Sequence, residues 1–324
     1  MEKVKLGNTN IEVSRLCFGS LTMTPFQANL SVKEGAELIQ YAYTKGINFI
    51  DTAEIYDNYK YIREALKGID RRDYVIATKT YAYSKELAEK SLNLALKELD
   101  TDYIDIFLLH EQESIHTIRG HYEAIEFFLK AKEKGIIRAI GISTHRIEGV
   151  LGANKYNEIE IIHPIVNMKG IGIQDGNIGE MLNAIEEAHR LGKGIYGMKP
   201  LGGGHLIGEA EKAFNFVKGI PYINSFAIGM QSKNEVDSNI SLMNDGYVSE
   251  DLKEQPINPP TDKGLLVQFQ VQLPVMQLQS RAQVDDVNAI HNLQVLVFTE
   301  EGLFLEKKEA TYTGPAVVDG GNIG

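Results

Sequence analysis

The sequence predicts an α/β protein: a (β/α)8 TIM barrel preceded by an N-terminal β-hairpin and followed by a small β-rich C-terminal segment. Three observations predict it. Eight short apolar runs alternate with amphipathic segments whose apolar residues recur every three or four positions, the signature of repeated β-α units. Glycines close several helical segments just ahead of the next strand, in Lys45-Gly46, Lys134-Gly135 and Leu191-Gly192. Beyond about Asn244 this pattern stops, and a period-two alternation of apolar and polar residues replaces it.

Taken in order, Lys3 to Val13 reads as a hairpin turning at Gly7-Asn8 and covering the barrel floor. The expected barrel strands are Leu16–Ser20, Asn48–Asp51, Tyr74–Thr78, Ile104–Leu109, Ala139–Ser143, Ile161–Asn167, Gly194–Met198 and Tyr222–Ile228. Leu87, Leu92, Leu94, Ala95 and Leu99 mark the apolar face of one intervening helix. Ile125, Phe128, Leu129 and Ala131 mark another. The last unit starts at Ser232, with Glu235 three residues on, a capping-box pattern. The barrel is therefore expected to occupy residues 1–250. Glu254-Gln-Pro-Ile-Asn-Pro-Pro260 denies a helix, so 251–263 reads as a linker. Residues 264–324 read as a β-rich tail, partly disordered. In it Val267, Phe269, Val271 and Leu273 alternate with glutamines, and Asn292–Phe298 and Gly302–Leu305 flank a hairpin turn.

A chain of 324 residues can bury a barrel core. Its net charge of -11 and pI near 5.3 argue against nucleic acid and anionic membranes as partners. A single cysteine, Cys17, excludes an intramolecular disulfide and a cysteine-ligated metal, and its place in the first barrel strand suits a buried packing thiol. No run of about 18 apolar residues suggests a membrane span. Met1-Glu-Lys-Val-Lys-Leu-Gly7 lacks the apolar centre of a secretory signal, so a cytoplasmic location is expected.

Four polar residues stand at or just past strand ends. Asp51 closes Gly46-Ile-Asn-Phe-Ile-Asp51, and Tyr56 follows five residues later. Lys79 closes Tyr74-Val-Ile-Ala-Thr-Lys79, and His110 closes Ile104-Asp-Ile-Phe-Leu-Leu-His110. In a parallel barrel, C-terminal strand ends converge on the substrate. A phenol is a proton donor with a pKa near 10, and an adjacent ammonium favours its ionised form. A carboxylate would hold that ammonium, and an imidazole would hydrogen-bond the substrate oxygen. Taken singly, each has an ordinary explanation: a helix cap, a surface tyrosine, a loop lysine, a core histidine. The conjunction is what points to catalysis.

These segments, in order and spacing, resemble the Asp-Tyr-Lys-His tetrad of aldo-keto reductases, and the likeness runs from about Leu6 to about Asn244. The resemblance implies reduction of an aldehyde or ketone by NADP or NAD in reduced form, with Tyr56 as general acid and no metal. It also implies cofactor contacts at Gly19, Ser20, Asp51, Ser143, Asn167, Lys199, Leu201, Gly202, Gly203, Ser232 and Asn239. Ser143 matches the residue that holds the carboxamide, while Thr144 replaces the family's Asn and Met168 its Gln. Lys199-Pro-Leu-Gly-Gly-Gly204 is similar to a loop whose backbone passes the pyrophosphate, and Met198 stands where an aromatic ring often stacks on the nicotinamide. Where many members clasp a 2′-phosphate, Gly229, Met230 and Glu235 appear, so NADP and NAD both stay open.

The remaining histidines carry no motif: His116, His121, His163, His189 and His291 read as structural or exposed. His205, after a glycine run, is a possible substrate contact. The stretches Thr22–Leu30, Glu111–Arg119 and Lys169–Asn177 are short and polar or glycine-rich, which suits an open pocket for small carbonyls. Two other functions stay in view: a nicotinamide-binding regulatory protein with little turnover, like potassium-channel β subunits, and a surface or adhesion module contributed by the tail. The second rests on the likeness of Leu293-Gln-Val-Leu-Val-Phe-Thr-Glu-Glu-Gly-Leu-Phe-Leu305 to fimbrillin-like surface proteins. Oligomeric state is not legible.

Overall fold

The computed structural model describes residues 1–244, together with the backbone of residues 293–298 and 304–310. Strand β1 (Lys3–Lys5) pairs antiparallel with β2 (Glu12–Ser14), Val4 opposite Val13. Leu6, Ile11 and Val13 are buried among inward-facing strand residues such as Cys17, Phe49 and Tyr196. The hairpin is therefore the plug of the barrel floor, as expected from Gly7-Asn8. It is pinned there by Asn8 N–H donating to Gly192 O at 2.8 Å. Gly192 has φ +80°, and a Cβ on it would fall 2.0 Å from the Asn8 amide nitrogen. Only glycine allows both the helix end and that close approach.

Eight parallel strands follow: β3 (Leu16–Gly19), β4 (Phe49–Asp51), β5 (Val75–Thr80), β6 (Ile104–Leu109), β7 (Ile137–Thr144), β8 (Ile161–Pro164), β9 (Gly194–Met198) and β10 (Ser225–Gly229). They pair in chain order, and β10 closes on β3 with Ala227 opposite Cys17. Nine helices accompany them among the described residues: α1 (Val32–Thr44), α2 (Tyr59–Leu66), α3 (Lys85–Leu99), α4 (Ile115–Gly120), α5 (Tyr122–Glu133), α6 (Ile147–Ala153), α7 (Ile178–Arg190), α8 (Ala210–Lys218) and α9 (Lys233–Asn244). Side chains fill the barrel interior against the hairpin, and a second, larger apolar layer lies between strands and helices. None of the described helices is long and apolar enough to cross a membrane.

Three expectations are corrected. Strand β8 stops at Pro164 rather than Asn167: Ile165 N–H turns to β7 and Val166 N–H to β9, after which Asn167 folds the loop with its own amide. Strand β10 begins at Ser225 rather than Tyr222, because the Asn224 side chain takes the Ile195 N–H that a ladder carbonyl would have taken. On α3, Leu87 and Leu94 stay exposed while Ala88 and Ser91 join Leu92, Ala95 and Leu99 on the inner face. On α5, Ile125, Phe128 and Ala131 are buried as read, with Ala124 beside them.

The chain divides into two compact units, Met1–Glu254 and Gln255–Gly324. In the second, β11 (Leu293–Phe298) and β12 (Phe304–Ala310) form an antiparallel pair with Leu293 opposite Ala310, so the second strand of the expected hairpin runs from Phe304 to Ala310 rather than from Gly302 to Leu305. The expected linker 251–263 and the strand Val267–Leu273 lie outside the described residues.

Candidate active site

Strands β4, β5 and β6 are consecutive neighbours, so their C-terminal ends lie side by side. Asp51 stands opposite Ala77, and Lys79 opposite Leu108. Lys79 Nζ donates to Asp51 Oδ2 at 2.7 Å and to Thr52 O at 2.8 Å, with both charged side chains buried. Tyr56 sits on a 3-10 turn, Glu54–Tyr56, just past β4; Asp57 then reverses the chain at φ +49°. Lys79 Nζ lies 5.0 Å from the centroid of the Tyr56 ring. His110 follows β6, its N–H tied to Thr80 O at 2.8 Å. Its ring meets that of Tyr56 edge-on, centroids 6.1 Å apart. The four tetrad residues are therefore brought together.

Their protonation follows from this packing. Burial alone would disfavour the Lys79 ammonium, but Asp51 and Tyr56 outweigh it and hold its pKa above the usual value. Burial raises the Tyr56 phenol above its ordinary value, with Lys79 pulling it back down. Burial is the larger of the two effects, so the phenol stays above its ordinary value despite the adjacent ammonium. Burial and the neighbouring Lys79 hold His110 far below the usual histidine range, so its ring is neutral. His110 Nδ1 is buried without a partner, as is Gln112 Oε1 two residues on.

The sequence reading missed a shell around the tetrad. The Tyr196 hydroxyl donates to Asp51 Oδ1 at 3.0 Å, and His163 Nε2 stands 3.6 Å from the same oxygen. Far from being a bystander, His163 is buried against Asp51. Tyr81 stacks on His110 at 4.6 Å and donates to Glu111 at 2.9 Å. His145 joins Glu111 and Lys199, with Nε2 2.9 Å from Lys199 Nζ. Position after a strand end was the available signal for Tyr81 and His145. Tyr196 and His163 lie within strands, where nothing in the sequence separated them from core packing.

The expected cofactor residues fall into groups. Gly19 is forced by close contact between β3 and β10, where a Cβ would come within 3.0 Å of the Ile228 backbone. Ser20 is buried and spends its hydroxyl on Asp51 O at 2.7 Å, while Asn58 donates to it at 2.8 Å. Ser143 is buried beside the tetrad and accepts from Glu111 N–H, leaving its own hydroxyl hydrogen to give. Asn167 accepts from Ile171 N–H and donates to Ile171 O, so one amide hydrogen is left. Lys199 and Leu201 lead into Gly202, Gly203 and Gly204, all at positive φ; at Gly203 a Cβ would meet nothing within 4 Å. This open, glycine-built main chain at the C-terminal face fits a phosphate group, and the orphaned polar atoms of His110 and Gln112 fit a polar ligand. His205 is exposed beside this run.

At α9 the capping box is half formed. Ser232 Oγ accepts from Glu235 N–H, but the Glu235 carboxylate accepts from Gln231 N–H instead of Ser232 N–H. Met230 is in the core, and a Cβ at Gly229 would collide with Thr22. Asn239 is buried on α9. No side chain at Gly229, Met230 or Glu235 supplies a cation for a 2′-phosphate.

Known proteins resemble this chain in sequence and in fold. The sequence profile of the Aldo/keto reductase family matches residues 15–252. A Glycine max protein named "Probable aldo-keto reductase 1" is 30% identical over 225 residues, and the match covers 64% of this chain and 62% of that one. L-galactose dehydrogenase of Arabidopsis thaliana is 24% identical over 277 residues, 74% of this chain and 86% of its own length. Among solved structures, a holo-form aldo-keto reductase from Bacillus halodurans superposes with a TM-score of 0.64 at 22% identity, covering 78% of this chain and 94% of that one. The chain belongs to the aldo/keto reductase family.

Proposed function

We propose that this protein reduces an aldehyde or ketone to an alcohol, using NADH or NADPH. The observation that carries the reading is the convergence of a buried Lys79–Asp51 pair on the Tyr56 ring, with a neutral His110 alongside. A bound reduced nicotinamide supplies the hydride to the carbonyl carbon. The protein supplies the proton. Tyr56, kept neutral by its raised pKa, gives its hydrogen to the carbonyl oxygen, and Lys79 stabilises the phenolate left behind. Asp51 keeps Lys79 charged and aimed. His110 is suited to hold the substrate oxygen by a hydrogen bond from its neutral ring.

Ser143 and Asn167 are suited to the carboxamide, and the Lys199–Gly204 loop with Leu201, Gly202 and Gly203 to the pyrophosphate. Ser232 and Asn239 mark the adenosine end, where the Glu235 carboxylate favours NADH. Gly19 shapes this site through its close main-chain contact with β10, and Ser20 through its hydroxyl bond to Asp51 O. Phe26, Ile55, Tyr81 and Tyr83 are 62, 51, 43 and 60% exposed on the loops after β3, β4 and β5, three adjacent strands. That apolar sector supports a substrate with an aromatic or aliphatic substituent rather than a polyhydroxylated one. The complete tetrad supports turnover over a purely regulatory role. Nicotinamide absorbance, followed against a panel of aromatic, aliphatic and sugar aldehydes with both cofactors, tests the proposal. Absence of oxidation with every substrate would remove it.

A further inference from the structure

Asp51 has two carboxylate oxygens, and the tetrad uses only one. Oδ2 faces Lys79. Oδ1 turns into the barrel interior, toward Tyr196 on β9 and His163 on β8, both buried. Their rings stack with centroids 3.9 Å apart and planes 16° from parallel, and Phe49 packs edge-on against Tyr196 at 5.0 Å. Both rings stand on barrel strands rather than on loops.

The hydrogen positions in this cluster can be read from its partners. His163 Nδ1 lies 2.6 Å from the backbone oxygen of Tyr196. A carbonyl oxygen only accepts, so Nδ1 carries the hydrogen. In the neutral ring, Nε2 then offers a lone pair toward Asp51 Oδ1 at 3.6 Å, too long and of the wrong polarity for a hydrogen bond. Oδ1 therefore takes its hydrogen from Tyr196, whose phenol burial and Asp51 keep well above the ordinary value and hence fully protonated. A second proton on His163 would place Nε2–H against Oδ1 and set it in competition with Lys79 for the same carboxylate.

We propose that Tyr196 and His163 are positioning residues for Asp51: the Tyr196 hydroxyl holds the carboxylate aimed at Lys79, while His163, with its hydrogen on Nδ1, leaves that carboxylate to Lys79. The inference rests on the reductase reading above. Burial, opposed by Asp51 and reinforced by Lys79, brings His163 down to about 4, which keeps it neutral over the working range. The groups facing the pair are Cys17 from β3, Asp51 from β4, Tyr56 from the following turn, Lys79 from β5, His110 after β6 and His145 after β7.

The test uses Tyr196→Phe, which keeps the ring and its stacking and removes one hydroxyl. Loss of a hydrogen bond to a charged group should lower kcat about ten- to a hundredfold with KM for the cofactor unchanged. The acid limb of kcat should move to higher pH, because the unshared Oδ1 favours a second proton on His163, which then competes with Lys79 for the carboxylate. Imidazole NMR titration, with the His163 signal identified by its loss in His163→Gln, gives a readout independent of turnover. The His163 titration should move up in Tyr196→Phe, where the unshared Oδ1 draws a proton, and down in Asp51→Asn. An unchanged kcat–pH profile together with an unmoved His163 titration in Tyr196→Phe would reduce the pair to packing. If the wild type reduces no carbonyl yet His163 still responds in both variants, the coupling to Asp51 is upheld and the reductase reading alone falls.

Discussion

Lys79 Nζ lies 2.7 Å from Asp51 Oδ2, with the two side chains only 2 and 8% exposed. A buried ion pair is costly to break from one side, since the remaining charge loses its partner. Here the pair also sets the charge that faces Tyr56. Lys79→Met should therefore lower kcat severely and, by removing the cation that pulls the phenol down, shift the alkaline limb of the rate profile to higher pH. A variant whose alkaline limb stays where the wild type has it would show that Lys79 does not act on Tyr56.

Tyr56→Phe deletes the transferable hydrogen while keeping the ring edge against His110. General acid catalysis contributes about 100- to 10,000-fold, so kcat should fall by that order with cofactor binding near normal. Stopped-flow kinetics with fluorescence titration of the cofactor separate the two effects. Wild-type kcat in the variant would remove Tyr56 from the acid role.

How much of this was legible depends on whether a residue speaks through its neighbours in sequence or only through space. Asp51, Tyr56, Lys79 and His110 each follow an apolar run, and parallel strands necessarily bring such ends together. The barrel and the tetrad were readable for that reason. Tyr196 and His163 occupy strand interiors, where an inward-facing aromatic looks like any core residue; only the closing of β8 and β9 around Asp51 reveals them. The strand ends at Pro164 and Ser225 were misjudged because Asn167 and Asn224 side chains replace main-chain partners, a substitution that apolar periodicity does not register.

Stability should depend on buried neutral histidines. His145 and His163 are held down to about 4 from 6.5, burial being the largest cause in each. The unfolded chain takes up these protons below about pH 6.5 and the folded chain does not, so stability is complete above that value and falls as pH drops toward 4. At pH 5 linkage puts the loss at about 2 kcal/mol per histidine. Urea unfolding at pH 7.5 and pH 5 measures it, and a free energy that does not fall over this window would mean the rings are charged in the folded protein.

Glu235 bears on cofactor choice. Its carboxylate accepts from Gln231 N–H at 2.8 Å at the start of α9, at the adenosine end of the proposed site. Glu235→Arg should tighten NADPH relative to NADH about tenfold or more, through a charge-assisted bond to the 2′-phosphate. Ser232 still caps the Glu235 N–H in this variant, so stability should change by no more than about 1 kcal/mol. Fluorescence titration with both cofactors decides it: an unchanged affinity ratio would place the 2′-phosphate away from this helix end.

Removal of residues 255–324 should leave a folded, active enzyme. Barrel closure is made within the first unit, by β10 pairing with β3 over four residue pairs, Phe226–Leu16 to Gly229–Gly19. The floor is plugged from the N-terminal side by Leu6, Ile11 and Val13, and the tetrad with its supporting residues lies between Asp51 and Tyr196. In the second unit the described strands, β11 and β12, pair with each other. Tm and kcat/KM of the shortened and full-length proteins should therefore agree. A shortened protein that aggregates, or that keeps its Tm but loses most of its kcat/KM, would make the second unit part of the enzyme. The latter result would further assign it to the substrate pocket, since folding and the proton-donating residues would both be intact.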